Sequence, residues 1–118
     1  MKREFVYFRI FDKNWNDLEL TDDDLAELEN TLLINPQAGR LIKGTGGLRK
    51  LRVPLSNQGK SGGARVLYVD YISYEKTILM NVYSKSVQDT LTEKQKQEYK
   101  KLIEQLSKEL KKNEKHSR

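Results

Sequence analysis

The stretch ARVLYVDYISYEKTILMNVY, residues 64–83, decides the fold. Two runs rich in β-branched and aromatic residues, Ala64 to Ile72 and Thr77 to Tyr83, flank the short segment Ser73-Tyr74-Glu75-Lys76. Runs of that composition predict strands, and the four-residue connection predicts an antiparallel hairpin. Just upstream, Pro54 through Gly63 is a polar loop containing glycine, and Leu48 to Val53 predicts a third strand. Successive side chains of a strand point opposite ways, so Lys50 and Arg52 share one face while Leu51 and Val53 take the other. Further back, Thr21 is a candidate N-cap for a helix whose first turn holds Asp22, Asp23 and Asp24, acids that favour the positive end of a helix dipole. Leu25, Leu28, Leu32 and Leu33 give that helix its apolar stripe, and Asn35-Pro36 ends it. Glu4 to Phe11 alternates Val6, Phe8 and Ile10 against Phe5, Tyr7 and Arg9, which predicts one more strand.

Downstream, Thr92 and Gln95 form a capping box. The helix it opens carries Tyr99, Leu102, Ile103, Leu106 and Leu110 on one side. From Lys111 the apolar residues stop, so 111–118 is expected to be a frayed basic tail behind a single domain over 1–110. The expected order is β-α-β-β-β-α. That is an α+β fold, a mainly antiparallel four-stranded sheet with helices packed on one side.

Length and composition agree with one small folded domain. The chain has 118 residues, 36% apolar and 33% charged, and its apolar residues fall in periodic blocks. Its longest aliphatic runs, such as Leu32-Leu33-Ile34, fall far short of the roughly 20 residues that span a bilayer. No secretory leader is expected, since residues 1–4 lead straight into the alternating segment, and there is no cysteine, hence no disulfide and no thiolate metal site. A cytoplasmic protein without membrane contact is expected.

Charge is unevenly spread. Residues 1–40 hold five Lys/Arg against nine Asp/Glu, whereas residues 41–90 hold eight against three. No acid occurs between Glu29 and Asp70, a stretch that carries Arg40, Lys43, Arg49, Lys50, Arg52, Lys60 and Arg65. A solvated surface usually mixes both signs, so this stretch points to a polyanionic partner. In the C-terminal helix lysine and glutamate alternate, the pattern of a solvated face.

Several familiar sites are excluded. Gly59-Lys60-Ser61 resembles the end of a phosphate-binding loop, but Pro54 stands where its first glycine belongs. Gly44-Thr45-Gly46-Gly47 lacks the third glycine of a dinucleotide fingerprint, since Arg49 occupies that position. The only histidine, His116, is in the tail, and the acids Asp22 to Asp24 have a helix-capping explanation. No metal site and no cofactor are expected. What remains is a set of cations, Lys50, Arg52, Lys60, Arg65 and Lys85, able to converge on one sheet face or its rim. Arginine offers a bidentate fork to phosphate and lysine a movable point charge. Such a group binds a phosphodiester, and it also has the means to cleave RNA without metal, by stabilising the pentacoordinate phosphate that forms when a 2′-hydroxyl attacks.

GGLRKLRV (46–53), GKSGGARVLY (59–68) and VYSKS (82–86), followed by DTLTE (89–93), together resemble the RelE/HigB superfamily, with the HigB branch the most similar. The resemblance covers roughly residues 30–110. It implies a curved antiparallel sheet with helices behind it, and the toxin of a type II toxin–antitoxin module that cuts translated mRNA on the ribosome. The partners it implies are the ribosome, mRNA and a cognate antitoxin. Carried over by position, the family's basic residues match Lys50, Arg52, Lys60, Arg65 and Lys85. Lys43, Arg49, Tyr68 and Tyr83 are expected as further RNA contacts. Several RelE proteins carry a tyrosine about six residues beyond the last basic position. Leu91 stands there in this chain, leaving Tyr83 or Tyr68 as substitutes. The alternative is a non-catalytic RNA- or ribosome-binding module of the same fold.

Overall fold

The computed structural model describes residues 2–55 and 63–116. Its centre is the expected hairpin. Strand β4 (Ala64–Tyr71) pairs antiparallel with β5 (Lys76–Ser84) through a short 3-10 turn, Ile72–Tyr74, and Glu75 at φ 53°. Strand β3 (Arg49–Val53) flanks β4, and the two-residue β2 (Arg40–Leu41) forms the edge beyond it. On the other side β1 (Glu4–Tyr7) joins β5 in parallel, completing the order β1-β5-β4-β3-β2. The α+β class holds. The sheet has five strands rather than four, and its parallel edge makes it mixed.

The expected strand from Glu4 to Phe11 stops at Tyr7, and helix α1 (Arg9–Asp17) follows. Alternation of apolar residues at 6, 8 and 10 masked a second spacing, Phe8, Phe11 and Trp15, which is helical. Tertiary burial decides between the two patterns. Phe11 is fully buried and stacks on Trp15 with ring centroids 5.4 Å apart, whereas Ile10 is exposed. Truncating a buried ring of this kind costs about 3–5 kcal/mol. Helix α2 (Asp22–Ile34) follows the sequence reading closely. Thr21 Oγ1 accepts from the Asp24 N–H at 3.1 Å, and the Asp24 carboxylate accepts from the Thr21 N–H at 2.8 Å.

Apolar residues form two cores, one on each face of the sheet. Phe11, Trp15, Leu28 and Leu32 of α1 and α2 pack on Val66, Tyr68, Leu79 and Val82. Ile103 of helix α3 (Glu93–His116) packs with Leu48, Leu67, Val69, Ile78 and Met80. Helices therefore cover both faces, not one side as the order of elements suggested. The reason lies in the central strands: β4 is buried from Ala64 to Val69, and a strand buried on both faces needs a layer on each. Helix α3 also runs on through Lys111 to His116, so that the supposed frayed tail is helical to His116. Lysine and glutamate are good helix formers and extend the helix past its apolar stripe.

A bulge at Met80 lets β5 slip one residue against β4, pairing Leu67 with Asn81 but Tyr68 with Leu79. Asn81 lies past the end of β1's pairing. Its Oδ1 accepts from Asn14 of α1 at 2.8 Å, and its Nδ2 donates to the Tyr99 hydroxyl of α3 at 3.3 Å. One side chain thus ties both helical layers to the sheet.

Candidate functional site

Helix α3 covers only part of its face of the sheet, and the cations stand on the part left open. Lys50 and Arg52 project from β3 toward this face, as strand alternation requires. Arg40 of β2 lies opposite Lys50, Arg65 of β4 opposite Arg52, and Tyr83 of β5 opposite Arg65. Cβ atoms so paired are about 4.5–5.5 Å apart. Arg40, Lys50, Arg52 and Arg65 line one open cleft of about 270 Å³, with Asp89 as its fifth residue.

Four cations this close repel one another, and Asp89 offsets that repulsion. Its Oδ1 lies 3.4 Å from Arg65 Nε, and its backbone carbonyl accepts from Lys50 Nζ at 2.9 Å. Arg65 is only 9% exposed, and its guanidinium also donates to the Ala64 carbonyl at 3.4 Å. The Asp89 side chain, by contrast, is 53% exposed, so solvent and competing anions reach it. The segment holding Asp89 is anchored at its base. Gln88 Nε2 donates to Gln95 Oε1 at 2.6 Å, and Gln95 completes the capping box with Thr92.

Tyr83 is half-buried beside Arg65, and its hydroxyl finds no hydrogen-bond partner among the described residues. Burial pushes its pKa up; Tyr99 and Asp89 push the same way, and Arg65 opposes them. At neutral pH it is a phenol with an unused donor. Chemically, the cleft offers bidentate arginine forks and a movable ammonium around the place now taken by a carboxylate, which suits an oxyanion such as a phosphodiester. Among the described residues no three His, Cys, Asp or Glu side chains gather as a metal site.

The residues expected at the site divide accordingly. Lys50, Arg52 and Arg65 converge, with Tyr83 beside them. Lys85 is exposed just past β5, where its backbone N–H bonds the Gly63 carbonyl at 3.0 Å. Lys43 is exposed in the turn between β2 and β3, away from the cleft lining. Lys60 lies outside the described residues. Two expectations are corrected. Tyr68 is fully buried on the opposite face, where its hydroxyl donates to the Pro36 carbonyl and accepts from the Gly39 N–H, both at 2.8 Å. Arg49 sits on that same face and donates to the Gly39 carbonyl at 2.8 Å. Both hold the α2–β2 connection in place, and neither reaches the cleft.

Arg40 and Asp89 are the residues that sequence reasoning missed. Arg40 was visible as one cation of the acid-free stretch, but only the β2–β3 register sets it opposite Lys50. Asp89 follows the last strand by five residues, and nothing local marks it as a neighbour of Arg65.

A family model described as the RelE toxin of the RelE/RelB toxin–antitoxin system matches residues 3–116. Among solved structures, a double-arginine mutant of the E. coli toxin RelE in its free state is similar, with a TM-score of 0.53 and 15% identity, over 75% of this chain and 88% of that one. The intact E. coli RelBE toxin–antitoxin complex is similar with a TM-score of 0.53 and 16% identity, over 70% and 96% respectively. At such identities the likeness is one of fold.

Proposed function

The chain belongs to the RelE family of toxins from toxin–antitoxin systems, and on that premise we propose that it is a ribosome-dependent, metal-independent endoribonuclease acting on translated mRNA. The observation that carries the reading is the cleft itself: Arg40, Lys50, Arg52 and Arg65 around one exposed carboxylate. The Asp89 carboxylate stands where a scissile phosphate would be clamped, and the substrate displaces it. Attack by the 2′-hydroxyl, whose proton passes to solvent, on the adjacent phosphorus forms the new P–O bond and expels the 5′-oxygen, which takes up a proton, leaving a cyclic phosphate on one fragment. Arg65 and Arg52 stay charged throughout and stabilise the extra negative charge of the pentacoordinate phosphate. Lys50, the ammonium group of the cleft, donates the proton that the departing 5′-oxygen takes up. Once the substrate has displaced Asp89, only cations surround the phosphate and these are poor bases, which favours a substrate already held in an attack-ready shape, as a ribosome-bound message would be.

E. coli RelE is known in a complex with its antitoxin. For this chain we propose an antitoxin that presents acidic side chains to the same cations, competing with Asp89 and with RNA alike.

The test is to induce the protein in cells and map mRNA 5′ ends with translation running and with initiation blocked. New ends inside coding sequences are expected, and they disappear when translation is blocked. Identical cuts in untranslated RNA overturn the ribosome dependence. Co-sedimentation with ribosomes without any new ends overturns the cleavage reading in favour of a binding module.

A further inference from the structure

Along the sequence, lysine and glutamate alternate through α3; around the helix axis they separate. At 100° per residue, Tyr99, Ile103, Leu106 and Leu110 mark the side packed on the sheet. On the opposite side, Lys94, Lys101, Lys108 and Lys112 fall within about 40° of one another. Glu98 and Glu104 lie on the margins of that strip, and only Gln97 and Gln105 interrupt it. All four lysines are exposed, and none has an ion pair among the described residues; the lysine of α3 that does pair is Lys96, with Glu93. Gln105 bonds Glu109 at 3.1 Å and draws that carboxylate to the strip's edge. At 1.5 Å per residue the row is about 27 Å long. It is also rigid, because the Tyr71 hydroxyl bonds the Ile103 carbonyl at 2.7 Å and Asn81 bonds Tyr99.

We propose that this strip is a second nucleic-acid contact, separate from the cleft, that lies along the sugar–phosphate backbone of an RNA duplex. Four unpaired ammonium groups on a rigid rod suit a partner with charge repeated along a line. A membrane surface does not fit, because the helix's apolar side faces the sheet and is unavailable for insertion. A protein partner needs anchors such as Trp, Tyr or Arg, and the strip has none. The interleaved Gln97 amide donates and accepts, as a 2′-hydroxyl does. The choice of RNA over DNA rests on the RNA reading of the cleft. Lys94 is five residues from Asp89, hence within about 18 Å of it, so one large RNA-containing partner engages both surfaces.

The experiment measures fluorescence anisotropy of a labelled RNA duplex of about 24 base pairs, long enough to cover the strip, over a salt series. Full-length protein is compared with the fourfold variant Lys94→Gln, Lys101→Gln, Lys108→Gln and Lys112→Gln. Glutamine keeps the helix propensity, and a circular-dichroism melt confirms that the fold survives. Expected is at least a tenfold loss of affinity at low salt and a salt slope smaller by about 3.6, from four phosphate contacts at roughly 0.9 each. Unchanged affinity and slope overturn the proposal. A DNA duplex of the same sequence, bound equally well through the same lysines, overturns the assignment to RNA. Lysine-dependent duplex binding by a protein that never cuts message supports this inference while sinking only the cleavage reading.

Discussion

Two arginine–tyrosine pairs stand across neighbouring strands on opposite faces of the sheet, Arg49 with Tyr68 and Arg65 with Tyr83. Their chemistry is the same and their surroundings are opposite. Tyr68 is fully buried, its hydroxyl both donates and accepts, and Arg49 bonds a backbone carbonyl. Tyr83 keeps an unused donor among the described residues, and Arg65 leans on a half-exposed carboxylate. A pair bonded to the backbone beneath it adds to the architecture, because removing the Tyr68 hydroxyl strands the backbone groups it serves. A pair held by an anion that water can reach is poised for another anion. Residue type does not separate the two roles; the degree of satisfaction does.

The comparison breaks most clearly in cleavage. Arg65→Ala is expected to lower single-turnover cleavage on programmed ribosomes about 100- to 1000-fold, as losing one oxyanion-stabilising donor does. Co-sedimentation with ribosomes should persist in that variant. Arg49→Ala should leave cleavage within about threefold of wild type and shift only the denaturation midpoint, by the roughly 1 kcal/mol of one net hydrogen bond. Equal losses in both variants would erase the distinction between the faces.

Stability reverses the order. Tyr68→Phe removes the partner of the Gly39 N–H and of the Pro36 carbonyl, and should cost about 1–3 kcal/mol in urea unfolding. Tyr83→Phe gives up no hydrogen bond seen among the described residues and should stay within about 0.5 kcal/mol. A larger cost at Tyr83 than at Tyr68 would show that Tyr83 is architecture after all.

The smallest effect sharpens the role of the anion. Asp89→Asn removes the charge that competes for Arg65, so an uncleavable oligonucleotide carrying 2′-deoxyribose at the scissile position should bind more tightly. The gain should not exceed about fivefold, the worth of a partly exposed ion pair. Weaker binding in this variant would mean that Asp89 positions Arg65 rather than occupying its site.

How far the sequence could be read depends on the range of the interactions. The N-cap at Thr21, the capping box at Thr92, the end of α2 at Asn35-Pro36 and the β4–β5 hairpin were legible because each is set within a few residues. The segregation of Lys50 and Arg52 from Leu51 and Val53 was legible too, since a strand alternates by its covalent geometry. Helix α1 was not. Two periodicities overlap from Val6 to Trp15, and only the pocket that receives Phe11 and Trp15 selects the helical one.

The sequence by itself determined the α+β class, the central hairpin and the run of cations from Arg40 to Arg65 that no acid interrupts. Tertiary structure alone decided which cations form the site. Register set Arg40 opposite Lys50, the backs of β3 and β4 took Arg49 and Tyr68 into the core contacts, and the chain leaving β5 returned Asp89 to Arg65. The physical reason is that local preference depends on neighbours a few residues away, whereas a site depends on which polar groups the packed layers satisfy. That satisfaction is fixed only when residues far apart in the chain, from Arg40 and Lys50 at 10 positions to Lys50 and Asp89 at 39, lie side by side.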